Sequence, residues 1–182
     1  ETLYDARGSV ASEFDELRNE TQYDYDAVGR QTTMTNAEQE TDTTVYDAAG
    51  RVTARENALN QRTQYTFDAA GRITRTDNPD TTFSTRTFDD AGREITRTDE
   101  RGKSTEVSYD ALGRVLSELA PDGGLWQYEY DAMGNRTLYR SPQGQETRWT
   151  YDPNDRVKTM TDPSDCTTTY TYDDPGHLTQ SK

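Results

Sequence analysis

Large and polar residues alternate along much of this chain, and the alternation returns at a fixed interval. In Thr63-Gln64-Tyr65-Thr66-Phe67 and in Trp126-Gln127-Tyr128-Glu129-Tyr130 the bulky side chains fall at every second position. That period of two predicts strands with one apolar face, the other face carrying Gln64 and Thr66, or Gln127 and Glu129, to water. Each such stretch ends in Asp-x-x-Gly. Asp can accept from backbone N–H groups two residues on, and Gly supplies a positive φ, so the segment predicts a tight turn. A weaker strand follows, as in Arg51-Val-Thr-Ala-Arg55, with Val52, Ile73, Val115 and Val157 as its most regular apolar column. A second turn then closes the unit, read at Asp77-Asn-Pro-Asp80, Ala120-Pro-Asp-Gly123, Ser141-Pro-Gln-Gly144 and Asp162-Pro-Ser-Asp165. No stretch has helical periodicity.

The unit is 21 residues long and occurs in nine copies without insertion or deletion, beginning at Tyr4, Tyr25, Tyr46, Phe67, Phe88, Tyr109, Tyr130, Tyr151 and Tyr172. The second column is Asp throughout: Asp5, Asp26, Asp47, Asp68, Asp89, Asp110, Asp131, Asp152 and Asp173. Gly follows three residues later (Gly29, Gly50, Gly71, Gly92, Gly113 and Gly134 among them), except at Asp155. Arg comes next at Arg30, Arg51, Arg72, Arg93, Arg114 and Arg156. Two residues before the first column lies another aromatic column, Tyr23, Tyr65, Tyr128, Trp149 and Tyr170, interrupted by Thr44, Arg86 and Val107. Together the two columns predict an aromatic face made of Tyr23, Tyr25, Tyr46, Tyr65, Phe67, Phe88, Tyr109, Tyr128, Tyr130, Trp149, Tyr151, Tyr170 and Tyr172. Only Tyr139, of the 12 tyrosines, lies outside both columns.

Composition sharpens the picture. Leu, Ile, Val and Phe make up roughly 12% of the chain, a level that by itself points to disorder. Net charge of -14 points the same way. The ordered placement of the aromatics decides for a folded array, because Tyr and Trp bury large areas while keeping a polar tip. Acidity without a basic stripe argues against nucleic acid and anionic membranes. No apolar run approaches the roughly 18 residues that span a bilayer. A single Cys166 forms no internal disulfide and leaves the redox compartment open.

The Y-D-x-x-G-R core, followed by a turn of the D-P-x-G kind, resembles the RHS/YD-repeat family over essentially the whole chain. Bacterial Rhs proteins, Tc toxin BC components, wall-associated proteins and teneurins are its members. The resemblance implies hairpins joined edge to edge into one continuous, curled antiparallel sheet, which in bacterial toxins forms a shell around a cytotoxic C-terminal segment. A parallel β-solenoid with one coil per repeat is the architectural alternative. Roughly 17 strands at roughly 4.8 Å each make a sheet about 80 Å wide, which closed on itself gives a ring of about 25 Å, too small for a folded toxin. Residues 1–182 are thus expected to be a single array, a section of shell wall cut from a longer protein. The family's core-domain segment, whose aspartates release the toxin, has no counterpart in the chain.

Chemistry has little to work with at this level. One Asp per turn does not supply the six to eight oxygens that calcium takes, so the Asp and Gly columns are expected to be structural turn residues and no metal or cofactor is expected. The Arg column is expected to lie along Tyr rings or to pair with Asp. His177 stands in the Arg column of the last copy, and Cys166 lacks an activating base. The expected function is a non-catalytic scaffold that encapsulates or presents a toxin, in a secreted or cell-surface bacterial protein. Its expected partners are the remaining repeats of the parent shell and the enclosed segment, with edge-to-edge self-association, no nucleic acid and no membrane insertion. A surface adhesin or carbohydrate- or protein-binding module, using exposed rings such as Trp126 and Trp149, is the alternative.

Overall fold

The computed structural model describes residues 1–182, and eighteen strands carry nearly all of the order. The chain divides into two compact units, Glu1–Arg86 with Asp99–Gly102, and Thr87–Thr98 with Lys103–Lys182. In the first, β1 (Thr2–Tyr4), β2 (Val10–Phe14), β3 (Glu20–Tyr25), β4 (Gln31–Thr35), β5 (Thr41–Tyr46), β6 (Val52–Glu56), β7 (Arg62–Phe67) and β8 (Ile73–Asp77) precede the start of β9 (Phe83–Phe88). The second holds the end of β9, then β10 (Glu94–Thr98), β11 (Ser104–Tyr109), β12 (Val115–Leu119), β13 (Leu125–Tyr130), β14 (Arg136–Arg140), β15 (Glu146–Tyr151), β16 (Val157–Thr161), β17 (Thr167–Tyr172) and β18 (Leu178–Ser181).

Within each unit every strand pairs antiparallel with the next, as in β3 with β4 and β13 with β14. The solenoid alternative therefore falls, because its coils would need parallel strands and crossovers, whereas the short turns here leave room only for hairpins. Each Asp-x-x-Gly hairpin slips register at the end of its first strand, at Asp24/Tyr25 in β3 and at Glu129/Tyr130 in β13. The slip is a β-bulge, which raises the local twist and turns the strand end.

Both turns of the repeat use one design. Gly29 N–H donates to Asp26 C=O at 3.1 Å, and Asp26 N–H donates to Arg30 C=O at 2.9 Å, with Gly29 at φ 86°. The second turn repeats this frame in Gln39 N–H to Asn36 C=O (3.0 Å) and Asn36 N–H to Glu40 C=O (2.9 Å). An Asx side chain organises many of these second turns too, as at Asp15, Asn57 and Asp162. The turn read from sequence at 77–80 is displaced by one residue. Thr81 N–H donates to Asn78 C=O, so the turn is Asn78–Thr81 and Asp77 stays in β8 opposite Phe83. Pro79 fixes the frame, because its φ suits the second turn position and not the third.

The aromatic face is half-buried rather than buried. All thirteen of the rings assigned to it are partly covered, and Tyr139 joins them because it lies directly opposite Tyr128. The two buried apolar residues, Ala54 and Leu138 at 2% exposure, lie on the other face, Ala54 opposite Val45 and Gln64. That face is not uniformly wet either. Gln127 is half-buried and accepts from Arg140, whose guanidinium also pairs with Glu146. Rings in a thin sheet keep one side for neighbouring side chains, so the few aliphatic residues suffice where a two-layer core would demand more.

Candidate functional site

The recurring polar residues converge on one arrangement that runs from each repeat into the next. In the copy at Asp26, one carboxylate oxygen accepts from Val28 N–H and Arg30 N–H at 3.0 Å each. The other accepts from Arg30 Nε at 2.6 Å. The held guanidinium then reaches forward: its Nη1 donates to Asp47 C=O at 3.1 Å and its plane lies 4.6 Å from the centre of the Tyr46 ring. Tyr46 in turn donates its hydroxyl back to Gln31 C=O at 2.9 Å. Asp, Arg and aromatic thus form a ladder whose rungs cross the repeat boundary.

The same rung recurs at Arg51 over Phe67, Arg93 over Tyr109, Arg114 over Tyr130 and Arg156 over Tyr172, at 4.5 to 4.7 Å. Tyr25, Tyr109, Tyr130, Tyr151 and Tyr172 repeat the hydroxyl bond, each to the carbonyl 15 residues earlier. Stacking and carboxylate pairing are therefore simultaneous, and each Arg uses both its plane and its edge. The carboxyls of Asp26, Asp47, Asp68, Asp89 and Asp110 are held below the usual range, chiefly by the backbone N–H of the Arg four residues on. At Asp152 the Arg156 side chain is the main cause. Burial raises the Tyr128 hydroxyl.

Glycine in the turn lies against the ladder. A Cβ on Gly113 would come within 3.4 Å of Arg93 Nη1, and one on Gly50 within 3.5 Å of Arg30 Nη1. Positive φ is thus what calls for Gly in this turn, and the preceding repeat's guanidinium lies at ordinary contact distance from where a Cβ would stand.

Two rungs differ. In the first copy Ser9 replaces Arg, and Arg7 Nη1 donates to Asp26 C=O at 3.0 Å in its place. In the seventh, Asn135 replaces Arg and bonds Asp131 at 3.1 Å and Asp155 at 2.8 Å. His177 stands 3.2 Å from Asp173 and is exposed, and Cys166 is exposed in its turn. Trp126 is half-buried on the aromatic face opposite Glu118, while Trp149 carries Arg136 at 4.7 Å. The cross-repeat reach of Arg has a signal in the sequence, the constant spacing from Arg30 to Tyr46, Arg51 to Phe67 and Arg93 to Tyr109. The Asx column of the second turn (Asp15, Asn36, Asn57, Asn78, Asp99, Asp162) is also present there, masked because Asn and Asp alternate in it.

The fold has solved counterparts. A TcdB2-TccC3-TEV crystal structure matches 96% of this chain at 20% identity and a TM-score of 0.54, and TcdB2-TccC3-Cdc42 matches 99% at 14% and 0.53. The Photorhabdus luminescens Tc holotoxin pore matches 99% at 16% and 0.52. The chain covers only 12 to 14% of the length of these proteins. Among curated protein sequences none matches. A family model described as the RHS repeat matches residues 4–41, 46–82, 88–125, 109–146, 137–165 and 151–182. With repeat length, turn chemistry and antiparallel hairpins all in agreement over nearly its whole length, the chain belongs to the RHS repeat family.

Proposed function

We propose that this chain is a non-catalytic wall segment of an RHS shell that encloses or presents a toxin segment. The observation that carries the proposal is where the repeat spends its chemistry. In the regular repeats the Asp carboxylate fixes the Arg of its own turn, and the Arg guanidinium and Tyr hydroxyl hold one repeat to the next. A side chain committed in this way is a mechanical part, whereas an acid, base or nucleophile needs to be free in a cleft. The Asp and Gly columns serve as turn formers and the aromatic columns as the stacking surface, with no metal or cofactor required.

Likeness to Tc toxin structures supports placement in a secreted or cell-surface bacterial protein. The partners in this reading are further repeats of the same shell and the enclosed segment. The reading assigns no part to nucleic acid or to a bilayer. Edge-to-edge self-association of the chain follows from unpaired strand edges; a strictly monomeric species at high concentration in light scattering refutes that part.

Protease protection tests the main proposal. In the parent protein, a segment downstream of the repeats is expected to resist digestion until the sheet is unfolded. Digestion of that segment at its free rate, with the repeats intact, refutes enclosure.

A further inference from the structure

Asn135 leaves a place open that the regular rungs fill. In the copies carrying Arg30, Arg51, Arg93 and Arg114, the next repeat's Asp carbonyl accepts two bonds, one from the turn N–H and one from the guanidinium at 3.0 to 3.5 Å. The face of the next ring is covered by the same group. After Asn135 the Asp152 carbonyl accepts only from Asp155 N–H, at 3.0 Å. No guanidinium stacks over Tyr151, because its rung position is Asn135; the neighbouring Arg136 lies over Trp149 at 4.7 Å and Tyr139 at 5.9 Å, with its charge felt at the Tyr151 hydroxyl.

This place is also more acidic than any regular rung. Asp131 keeps its carboxylate but loses the guanidinium partner; its oxygens accept from neutral groups, the Asn135 backbone N–H at 2.8 Å and side-chain amide at 3.1 Å. Asp155 replaces the usual Gly and adds a second carboxylate, which accepts from Asn135 at 2.8 Å and is exposed. A Cβ at the equivalent Gly elsewhere lies 3.4 to 3.9 Å from the preceding repeat's Arg Nη1. The Asp155 side chain therefore starts beside the spot where the regular guanidinium sits. The first copy shows that the carbonyl draws such a group from elsewhere when the column residue is missing: Arg7 supplies it to Asp26 C=O.

We propose that Asp131, Asp155, the Asp152 carbonyl and the Tyr151 ring form a binding site for an arginine side chain presented by a partner polypeptide. A planar guanidinium satisfies an in-plane carbonyl and carboxylate while stacking on the ring, which a compact ammonium does not do as well. Net charge of -14 favours approach of a basic segment. The site stands whether or not the sheet encloses a toxin.

The test is a titration of the full chain with N-acetyl-L-argininamide, followed by NMR at the Asn135 side-chain amide, the Asp155 amide and the Tyr151 ring. Saturable shifts confined to these groups, in the millimolar range and weakened by salt, are expected. Asn135→Arg restores the regular rung, so it should keep the fold and abolish the shifts. Asp155→Asn should weaken binding at least fivefold. Equal response to N-acetyl-L-lysinamide, shifts spread over all the turns, persistence in Asn135→Arg, or no shift at all would each overturn the proposal.

Discussion

Replacing Arg114 by Ala measures what one rung contributes. Arg114 and Asp110 are 26% and 16% exposed, and the guanidinium donates to Asp131 C=O at 3.0 Å while lying 4.7 Å from the Tyr130 ring centre. A cation over an aromatic ring stabilises by about 1 kcal/mol at such a site. A hydrogen bond from a charged donor adds about 1.5 kcal/mol. Freed side-chain rotamers offset roughly 0.5 to 1 kcal/mol of that. The net loss is about 1.5 to 2 kcal/mol, which at a urea slope near 2 kcal/mol/M lowers the midpoint by about 1 M or slightly less. Trp126 on β13 and Trp149 on β15 are the two tryptophans, so fluorescence reports on strands next to this rung. Arg55→Ala is the control, because Arg55 is exposed on β6 opposite Thr44 and Thr63 and takes no part in the ladder; its effect should stay within about 0.5 kcal/mol. In the cycle with Tyr130→Leu, the coupling should be about 1 kcal/mol. If Arg114→Ala costs no more than Arg55→Ala, the ladder does not hold the repeats together.

Three further outcomes follow from named groups. Phe67→Tyr should gain about 0.5 to 1 kcal/mol in urea melts, since its new hydroxyl would sit where other copies reach the carbonyl 15 residues back, here that of Val52. Thr81→Gly should raise stability by about 0.5 to 1 kcal/mol, because a β-branched residue at φ 70° is strained, and unchanged melting would refute this. The Asp column sits below its ordinary pKa when folded, so its stabilisation is complete above the unfolded value near 4 and is lost as pH falls through the lower folded values; thermal midpoints by circular dichroism should be flat above about pH 5 and drop below about pH 4, and a midpoint that holds steady down to pH 2 would contradict it.

Local chemistry is legible in the sequence where backbone geometry and side chain demand the same residue. Asp26 and Gly29 can be placed in a turn because one accepts N–H groups and the other takes φ 86°. Alternation in β7 reads the same for parallel and antiparallel neighbours, so strand direction is legible only through the short turns, which leave room for hairpins alone. Burial is harder to read for a physical reason. Alternation shows which face a ring occupies, but the cover over Tyr46 is a guanidinium from the previous repeat, and such cover leaves the ring half exposed. The frame at Asn78–Thr81 differs by one residue from the sequence reading because Asp77 and Asn78 are both acceptable first residues, and only Pro79 separates them. Asn135 reads in sequence as decay of a motif. Its bond to Asp155 shows two departures from the repeat that fit each other.

The ladder also fixes how such a chain can grow. Its rungs join positions at constant separations, as in Tyr46 to Gln31, Arg30 to Tyr46 and Arg30 to Asp47. Duplicating or deleting one whole repeat hands each Arg an equivalent ring and carbonyl, so the gene can lengthen or shorten in that quantum at little cost. A change of any other length inside a rung moves the ring off the guanidinium, and an odd one also flips the following strand's faces. The array is thereby a ruler with one permitted division, and length variation among such arrays should come in whole repeats.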